Sequence, residues 1–216
     1  MPEDAEGIRM SEHYYSSAPS SKSRPQVIEA KLRGRTFRFE TDAGVFSKNE
    51  VDFGTRLLIE TMEIPADARV LDVGCGYGPI GIVAATLAEE GFVTMIDTNG
   101  RAAVMARRNA ERLGLKNVRV LEGDRFAPLA EGESFDVVLT NPPIRAGKDI
   151  VHSIFEGAYE RLNPGGSLWV VIQKKQGAPS ALAKLESLFG DVRVAEKDKG
   201  YRVYQAVKKA DNSENY

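Results

Sequence analysis

The sequence predicts an α/β domain with a seven-stranded, mostly parallel, doubly wound β-sheet, a small N-terminal β-hairpin and an antiparallel hairpin at the end. Three observations lead to this fold class. Strand-like and helix-like segments alternate after Pro65, which is typical of a parallel sheet with helices on both faces. Residues 26–41 alternate apolar and polar side chains around Gly34. Residues 196–201 are too few for a crossover helix, so the last two strands must be antiparallel.

Each element has its own signal. The hairpin strands are predicted at residues 26–33 and 35–41. Leu57, Leu58 and Met62 recur at helical spacing, which predicts a short helix over residues 52–62. The helix predicted at residues 101–113 has the most complete set of signals. Ala103, Ala106 and Ala110 share one face, Asn99 can cap the start and Gly114 can end the helix. The predicted sheet strands are residues 69–73, 92–96, 118–121, 135–140, 167–172, 192–195 and 202–207, and the helices between them are 79–88, 101–113, 150–162 and 180–189.

The composition indicates one folded domain with short extensions. Residues 1–24 are rich in Ser, Pro, Glu and Lys and are predicted to be a flexible arm, and residues 210–216 a flexible tail. The single domain is expected over residues 25–209, with a hairpin extension at 25–50 and the core at 51–209. With 42% hydrophobic and 28% charged residues, the chain has the make-up of a globular domain.

Charge and cysteine content limit the partners and the compartment. Cys75 is the only cysteine, so an internal disulfide is excluded, no metal site is expected, and a reducing cytoplasmic location fits. No apolar run is long enough to cross a membrane. The net charge of −2 gives no overall basic footprint, so any contact with RNA has to use local clusters. The oligomeric state is left open.

A glycine loop follows the first strand of the regular series. In Asp72-Val73-Gly74-Cys75-Gly76-Tyr77-Gly78 the glycines stand where the chain must turn tightly and admit a ligand. Their spacing differs from the G-x-G-x-x-G of dinucleotide sites, which present a helix terminus to a pyrophosphate. A nucleoside without phosphates, such as S-adenosylmethionine, would instead place its amino-acid end near Asp72 and the loop backbone.

Two further acids follow the next two strands. Asp97 can accept both hydrogen bonds from a ribose diol, and Asp124 can accept from an adenine amino group, with Phe126 and Ile96 as apolar walls. Either acid alone is better explained as a helix cap. Three successive strand ends that carry Asp72, Asp97 and Asp124 favour a nucleoside site.

The segment Asn141-Pro142-Pro143-Ile144 follows the strand at residues 135–140. Its two prolines cannot continue a sheet, so they predict a rigid, exposed loop at the mouth of the crevice. With this loop the chain resembles the class I S-adenosylmethionine-dependent methyltransferases that modify amino nitrogens. Within them it is similar to the bacterial small-subunit ribosomal RNA guanine-N2 methyltransferases, as a single-domain relative.

The resemblance spans residues 11–207 and rests on five motifs. They are residues 44–47 (GVFS), 52–55 (DFGT), 72–81, 141–148 (NPPIRAGK) and 173–179 (QKKQGAP). The resemblance implies a Rossmann-like fold, S-adenosylmethionine as cofactor with S-adenosylhomocysteine as product, and ribosomal RNA or the small ribosomal subunit as partner. The cofactor-binding residues it implies, together with the glycine loop and the acids, are Asp72, Gly74, Cys75, Gly76, Gly78, Asp97, Thr98, Asp124, Arg125, Phe126 and Asn141.

The catalytic residues that the resemblance implies are Asn141 and Pro142. The Asn141 side-chain oxygen and the Pro142 carbonyl would accept the two hydrogens of the target amino group, whose lone pair is otherwise delocalised into the base. Ile144 departs from the pattern, since this position is often an aromatic ring that stacks on the base. The substrate-binding residues expected around this corner are Phe46, Pro143, Ile144, Arg145, Lys148, Lys174 and Lys175.

Ordinary explanations remain for the substrate residues. Phe46 fits core packing as well as stacking, Phe53 fits core packing better than stacking, and the rim lysines fit a solvated surface. Three other functions remain open: methylation of a protein glutamine, a non-catalytic RNA-binding or cofactor-sensing module, and a nicotinamide dehydrogenase. The intact Asn141-Pro142-Pro143 loop disfavours the second, and the glycine spacing disfavours the third.

Overall fold

The computed structural model describes residues 22–210. Its helices are α1 (Phe53–Thr61), α2 (Pro79–Leu87), α3 (Gly100–Arg112), α4 (Lys148–Arg161) and α5 (Ala178–Phe189). Its strands are β1 (Gln26–Leu32), β2 (Arg35–Thr41), β3 (Arg69–Val73), β4 (Phe92–Asp97), β5 (Val118–Glu122), β6 (Phe135–Thr140), β7 (Leu162–Gln173), β8 (Asp191–Asp198) and β9 (Tyr201–Val207). Most of the predicted arm at residues 1–24 and nearly all of the tail at 210–216 lie outside the described residues.

The predicted fold class is confirmed. A seven-stranded sheet has the order β5-β4-β3-β6-β7-β9-β8, in which only the pairs with β9 are antiparallel. Helices α1, α2 and α3 pack with the separate β1–β2 hairpin on one face, and α4 and α5 cover the other face. Because β3 and β6 are neighbours whose helices leave to opposite faces, a crevice opens at their carboxyl ends.

The local signals for α3 are confirmed in detail. The Asn99 side chain accepts hydrogen bonds from the backbone N–H groups of Arg101 and Ala102 at the start of the helix. At its end Gly114 has a φ of 68°, and the N–H of Leu115 reaches the carbonyl of Ala110 at 3.1 Å. This is the glycine-terminated helix end in which a left-handed residue satisfies the last carbonyls.

Two boundaries near the end of the chain were predicted wrongly. Strand β7 begins at Leu162, directly after α4, and not at residue 167, because Leu162 already pairs with Phe135 and the register shifts before Ser167. Strands β8 and β9 are joined by only Lys199 and Gly200, not by residues 196–201. Both turn residues have positive φ, 44° and 80°, which matches the two-residue hairpin turn with the twist of the strands. The second half of the edge strand β8 is rich in charged residues, so its sequence is typical of a loop.

No helix within residues 22–210 combines the length and the apolar character needed to cross a bilayer.

Candidate functional site

The crevice at the carboxyl ends of β3, β4, β5 and β6 contains a cavity of about 260 Å³. The sequence-predicted residues that line it are Phe46, Gly74, Cys75, Gly76, Asp97, Thr98, Asp124, Arg125, Asn141, Pro142 and Pro143. The fold therefore brings the glycine loop, two of the three acids and the Asn-Pro-Pro corner around one space.

The glycine loop is held by the end of β4. The backbone N–H groups of Gly74 and Cys75 both donate to the Ile96 carbonyl at 2.9 Å. Gly74 and Gly76 have φ values of 75° and 58°, so the glycines are required by the left-handed backbone of the turn. An added Cβ at either position would meet no atom within 4 Å, which leaves the loop open to a ligand.

Asp97 is tied to this loop through its carboxylate. One oxygen accepts from Gly76 N at 2.7 Å and the other from Asn99 N at 2.8 Å. Burial raises the pKa of Asp97, and these two hydrogen bonds oppose the rise. Since each carboxylate oxygen can accept a second hydrogen bond, Asp97 keeps the capacity to bind a diol in the cavity.

Asp72 lies behind the loop and not in the lining of the cavity. Its side chain is fully buried, with one oxygen accepting from Gly81 N at 2.9 Å and the other without a partner in the described part of the chain. Burial raises the pKa of Asp72 to about 7. Burial also raises the pKa of the Cys75 thiol, which favours the neutral form of this small residue in the turn.

Asp124 lines the cavity next to Arg125, and the two form a bidentate ion pair. The Arg125 Nε and Nη2 atoms lie 2.9 and 2.5 Å from the two carboxylate oxygens. The hydrogen bond to Asp124 raises the pKa of Arg125, whose backbone has a φ of 50°. Phe126 lies outside the lining and packs against Gly157 of α4, where an added Cβ would be 2.3 Å from its ring.

The Asn-Pro-Pro corner follows β6. At the end of this strand the Thr140 hydroxyl donates to the Val73 carbonyl of the neighbouring strand β3 at 2.9 Å. Pro143 has φ −75° and ψ 79°, and Ile144 N donates to the Pro142 carbonyl at 2.9 Å, which defines an inverse γ-turn. The Pro142 carbonyl therefore has one lone pair left. The Asn141 side-chain amide donates to the Thr55 hydroxyl at 2.9 Å.

A neighbouring part of the wall comes from the segment between β2 and α1 and from the start of α1. Phe46 lies at the mouth of the cavity with 47% of its surface exposed. Asp52 caps α1, since one of its oxygens accepts from Thr55 N at 3.1 Å. The motifs GVFS and DFGT were noted in the sequence without assigned roles for Asp52 and Thr55, and both residues line the cavity.

Eight predicted site residues do not line the cavity: Asp72, Gly78, Phe126, Ile144, Arg145, Lys148, Lys174 and Lys175. Arg145, Lys148, Lys174 and Lys175 are exposed on the loops or helix starts after β6 and β7, and their contact with a substrate stays a prediction. Sequence reasoning missed several residues that do line it, namely Ser47, Asp52, Thr55, Val73, Tyr77, Pro79, Ile80, Asn99, Ala102, Gly123, Ala146, Ile150 and Ile154.

An aromatic cluster that the sequence did not reveal lies at the same sheet edge. The Phe53 and Tyr201 ring centroids are 5.4 Å apart, and Lys199 Nζ is 4.9 Å from the centroid of Phe53. Phe53, for which core packing was the favoured interpretation, is half-buried in this cluster. Within residues 22–210 no group of acidic, histidine and cysteine side chains is arranged to hold a metal ion.

Comparison with known proteins assigns the family of this fold and crevice. The model of the family described as "Methyltransferase small domain" matches residues 36–205. The chain belongs to the methyltransferase small domain family. The match includes the glycine loop, Asp97, Asp124 and the Asn-Pro-Pro corner. The resemblance inferred from the sequence is confirmed, and this methyltransferase small domain protein uses S-adenosylmethionine as its cofactor.

Curated relatives fall into two groups. The uncharacterized protein YbxB of Bacillus subtilis (strain 168) is 52% identical over 200 residues, which are 92% of this chain and 100% of YbxB. Ribosomal RNA small subunit methyltransferase C of Erwinia tasmaniensis is 31% identical, covering 78% of this chain and 49% of the relative. Ribosomal RNA large subunit methyltransferase G of Streptomyces avermitilis is 33% identical, and the match covers 77% of this chain and 44% of the relative. The chain thus spans about half the length of the ribosomal RNA methyltransferases that it matches.

One similar solved structure is a Thermus thermophilus 16S rRNA N2 G1207 methyltransferase (RsmC) in complex with AdoMet and guanosine. It superposes with a TM-score of 0.77 and 26% sequence identity, covering 88% of this chain and 52% of that chain. The chain therefore shares its fold with a methyltransferase that was solved with AdoMet, and it is an S-adenosylmethionine-dependent methyltransferase.

Proposed function

We propose that the chain transfers a methyl group from S-adenosylmethionine to the exocyclic amino nitrogen of a guanine in small-subunit ribosomal RNA. The observation that carries the proposal is the single cavity shared by the glycine loop, Asp97 and the Asn141-Pro142-Pro143 corner. The similar Thermus thermophilus protein, an N2 methyltransferase of 16S rRNA, supports the choice of guanine N2.

The residues of the cavity suit the cofactor. Both oxygens of Asp97 can accept a further hydrogen bond from a ribose diol. Ile96 and Ile154 contribute apolar surface to the lining of the cavity. We assign the adenine amino group to Asp124, which requires Arg125 to share or release the carboxylate it now holds. When bound, S-adenosylmethionine supplies an electrophilic methyl group on its sulfonium.

Asn141 and Pro142 would activate the target nitrogen by orienting it. The Asn141 side-chain oxygen accepts one amino hydrogen, and the remaining lone pair of the Pro142 carbonyl accepts the other. These two hydrogen bonds draw the nitrogen toward a pyramidal geometry and turn its lone pair toward the cofactor side of the cavity. No strong base is required, because the proton becomes acidic only after alkylation and then leaves to water. Alignment supplies most of the acceleration, since effective molarities of about 10⁵ to 10⁸ M are attainable.

The base itself would be held at the mouth of the cavity. Ile144 offers no ring, so we assign stacking to Phe46, whose exposed position at the mouth suits this role, with Pro143 beside it. Stacking on an aromatic side chain is worth roughly 1 to 3 kcal/mol per base. Arg145, Lys148, Lys174 and Lys175 would bind phosphates on the surrounding rim, which positions the RNA without reading its sequence.

The test uses tritiated S-adenosylmethionine and ribosomal subunits from cells that lack this protein. We expect label in small subunits or in 16S rRNA, and mass spectrometry of the digested RNA to identify N2-methylguanosine. The Asn141→Ala variant is the matched control and should incorporate little label. Label in large-subunit RNA or in another nucleoside would overturn the assignment, and label in a protein glutamine would establish the alternative substrate.

A further inference from the structure

Three side chains form a continuous hydrogen-bonded chain from the start of α1 to the end of β6. Asn141 Nδ2 donates to Thr55 Oγ1 at 2.9 Å, and Thr55 Oγ1 donates to Asp52 Oδ1 at 2.6 Å. The other oxygen of Asp52 caps α1 by accepting from Thr55 N at 3.1 Å. Thr55 is buried, while Asp52 and Asn141 are half-buried. All three residues line the cavity.

The direction of this chain is fixed by the acceptor at its end. An ionised carboxylate only accepts hydrogen bonds, so the single hydroxyl hydrogen of Thr55 is committed to Asp52. Thr55 Oγ1 can then only accept from its remaining neighbour. Asn141 must therefore turn its NH₂ group toward Thr55, because the opposite rotation would bring two oxygen atoms together without a hydrogen between them.

We propose that Asp52 and Thr55 are positioning residues that set the rotation of the Asn141 amide, so that its oxygen and not its NH₂ group is available to the methyl acceptor. This inference rests on the proposed role of Asn141 as the group that accepts a hydrogen from the target nitrogen. With the amide reversed, NH₂ would meet NH₂, and the substrate nitrogen would have no acceptor from the side chain. The two oxygens of Asp52 thus serve two purposes: one caps the helix and the other orients the hydroxyl.

The decisive comparison is Thr55→Val against Thr55→Ser. Valine has nearly the same shape as threonine but cannot accept the Asn141 hydrogen bond, whereas the cap between Asp52 and the backbone of residue 55 is retained. Serine retains the hydroxyl. Asp52→Asn retains the cap as well, but its amide can donate, so the direction of the chain is no longer imposed.

We expect the single-turnover rate on small ribosomal subunits, at saturating S-adenosylmethionine, to fall about fivefold to tenfold in Thr55→Val, the factor that corresponds to one hydrogen bond. Thr55→Ser should recover most of the rate, and Asp52→Asn should lie between the two. The calorimetric Kd for S-adenosylmethionine should change less than about twofold in Thr55→Val, since the lost bond orients the acceptor and not the cofactor. A full rate in Thr55→Val, or no recovery in Thr55→Ser, would overturn the proposal.

A second measurement needs no substrate and therefore separates this inference from the proposed function. The side-chain amide signals of Asn141 can be identified in a ¹H–¹⁵N spectrum by their loss in Asn141→Asp. We expect them to move in Thr55→Val and to stay near their wild-type positions in Thr55→Ser. If wild-type protein labels no small subunit, the proposed function fails while this spectrum still decides whether Thr55 holds the amide. Unmoved signals in Thr55→Val would refute the hydrogen bond between Asn141 and Thr55, even if the methylation rate fell.

Discussion

Replacing Asp72 by asparagine should remove part of the pH dependence of the protein's stability, so that the variant gains stability relative to wild type as the pH rises to neutral. The wild-type carboxyl is fully buried, accepts one hydrogen bond from Gly81 N and has one oxygen without a partner in the described residues. Burial is the main cause that raises its pKa from 3.8 to about 7; the hydrogen bond from Gly81 opposes the rise, and the charge of Asp97 adds to it. Asparagine has the same shape and can still accept from Gly81, but it cannot ionise.

The sign and size of the effect follow from proton linkage. Between pH 3.8 and about 7 the folded state holds a proton on Asp72 that the unfolded state has lost. The stabilisation is therefore complete below pH 3.8 and is lost as the pH rises through about 7, at ~1.4 kcal/mol per pH unit within the window. Over the whole range from pH 3.8 to about 7, the free energy of unfolding of the wild type falls by about 4 kcal/mol through this group. From pH 5 to pH 8, the free energy of unfolding of Asp72→Asn should gain about 2.5 kcal/mol relative to wild type.

Urea unfolding of both proteins without cofactor, at pH 5, 6, 7 and 8, measures this difference. Trp169 is the only tryptophan and is fully buried in the sheet, so its fluorescence reports global unfolding. Asp191→Asn, at the exposed start of β8, controls for the loss of one negative charge. If the stabilities of wild type and Asp72→Asn change in parallel from pH 5 to pH 8, the buried carboxyl is not protonated in the folded state and the reasoning is refuted.

Three further substitutions test the site and its support. Asn141→Ala should lower turnover by about 10² to 10³ with unchanged S-adenosylmethionine affinity, because one preorganised acceptor at the reacting centre is lost; an unchanged single-turnover rate would remove its assigned role. Asp97→Ala should raise the S-adenosylmethionine Kd about 10- to 100-fold, because hydrogen bonds to a carboxylate are lost; wild-type affinity by calorimetry would exclude Asp97 from the site. Asn109→Ala should lower the free energy of unfolding by about 3 kcal/mol, since its buried amide bonds Glu40 N, Glu40 O and Tyr77 O; a loss below about 1 kcal/mol in urea unfolding would contradict this.

Signals that act over a few residues could be read from the sequence. The cap at Asn99, the helix end at Gly114 and the alternation of the strands depend only on neighbours in the chain, and the structure confirms them. The presence of an aspartate at each of three successive strand ends also predicted a shared crevice, because the carboxyl ends of parallel strands meet at one edge of the sheet. Asp97 and Asp124 do line the cavity there.

Contacts between distant residues could not be read in this way. Asn141 and Thr55 are 86 positions apart, and nothing in either motif alone indicates that their side chains meet. Phe126 looked like an apolar wall of the nucleoside site, but the absence of a side chain at Gly157 lets its ring pack against α4 instead. Tyr201 and Lys199 join Phe53 only because the β8–β9 turn folds back beside the start of α1.

The hairpin extension and the core, predicted to meet near residue 50, share the wall of the cavity. Phe46 lies before that boundary and Thr55 after it, yet both line the same space. Both the hairpin and the connecting segment are held by α3 and its cap. The Asn99 amide donates to the Gly44 carbonyl of the connecting segment at 2.9 Å, and Asn109 bonds both backbone groups of Glu40 in β2. Removing residues 25–50 would take the Gly44 acceptor from Asn99, leave Asn109 with only the Tyr77 carbonyl and open one side of the cavity. The segment 25–50 therefore belongs to the wall of the cavity and is not an appendage to it.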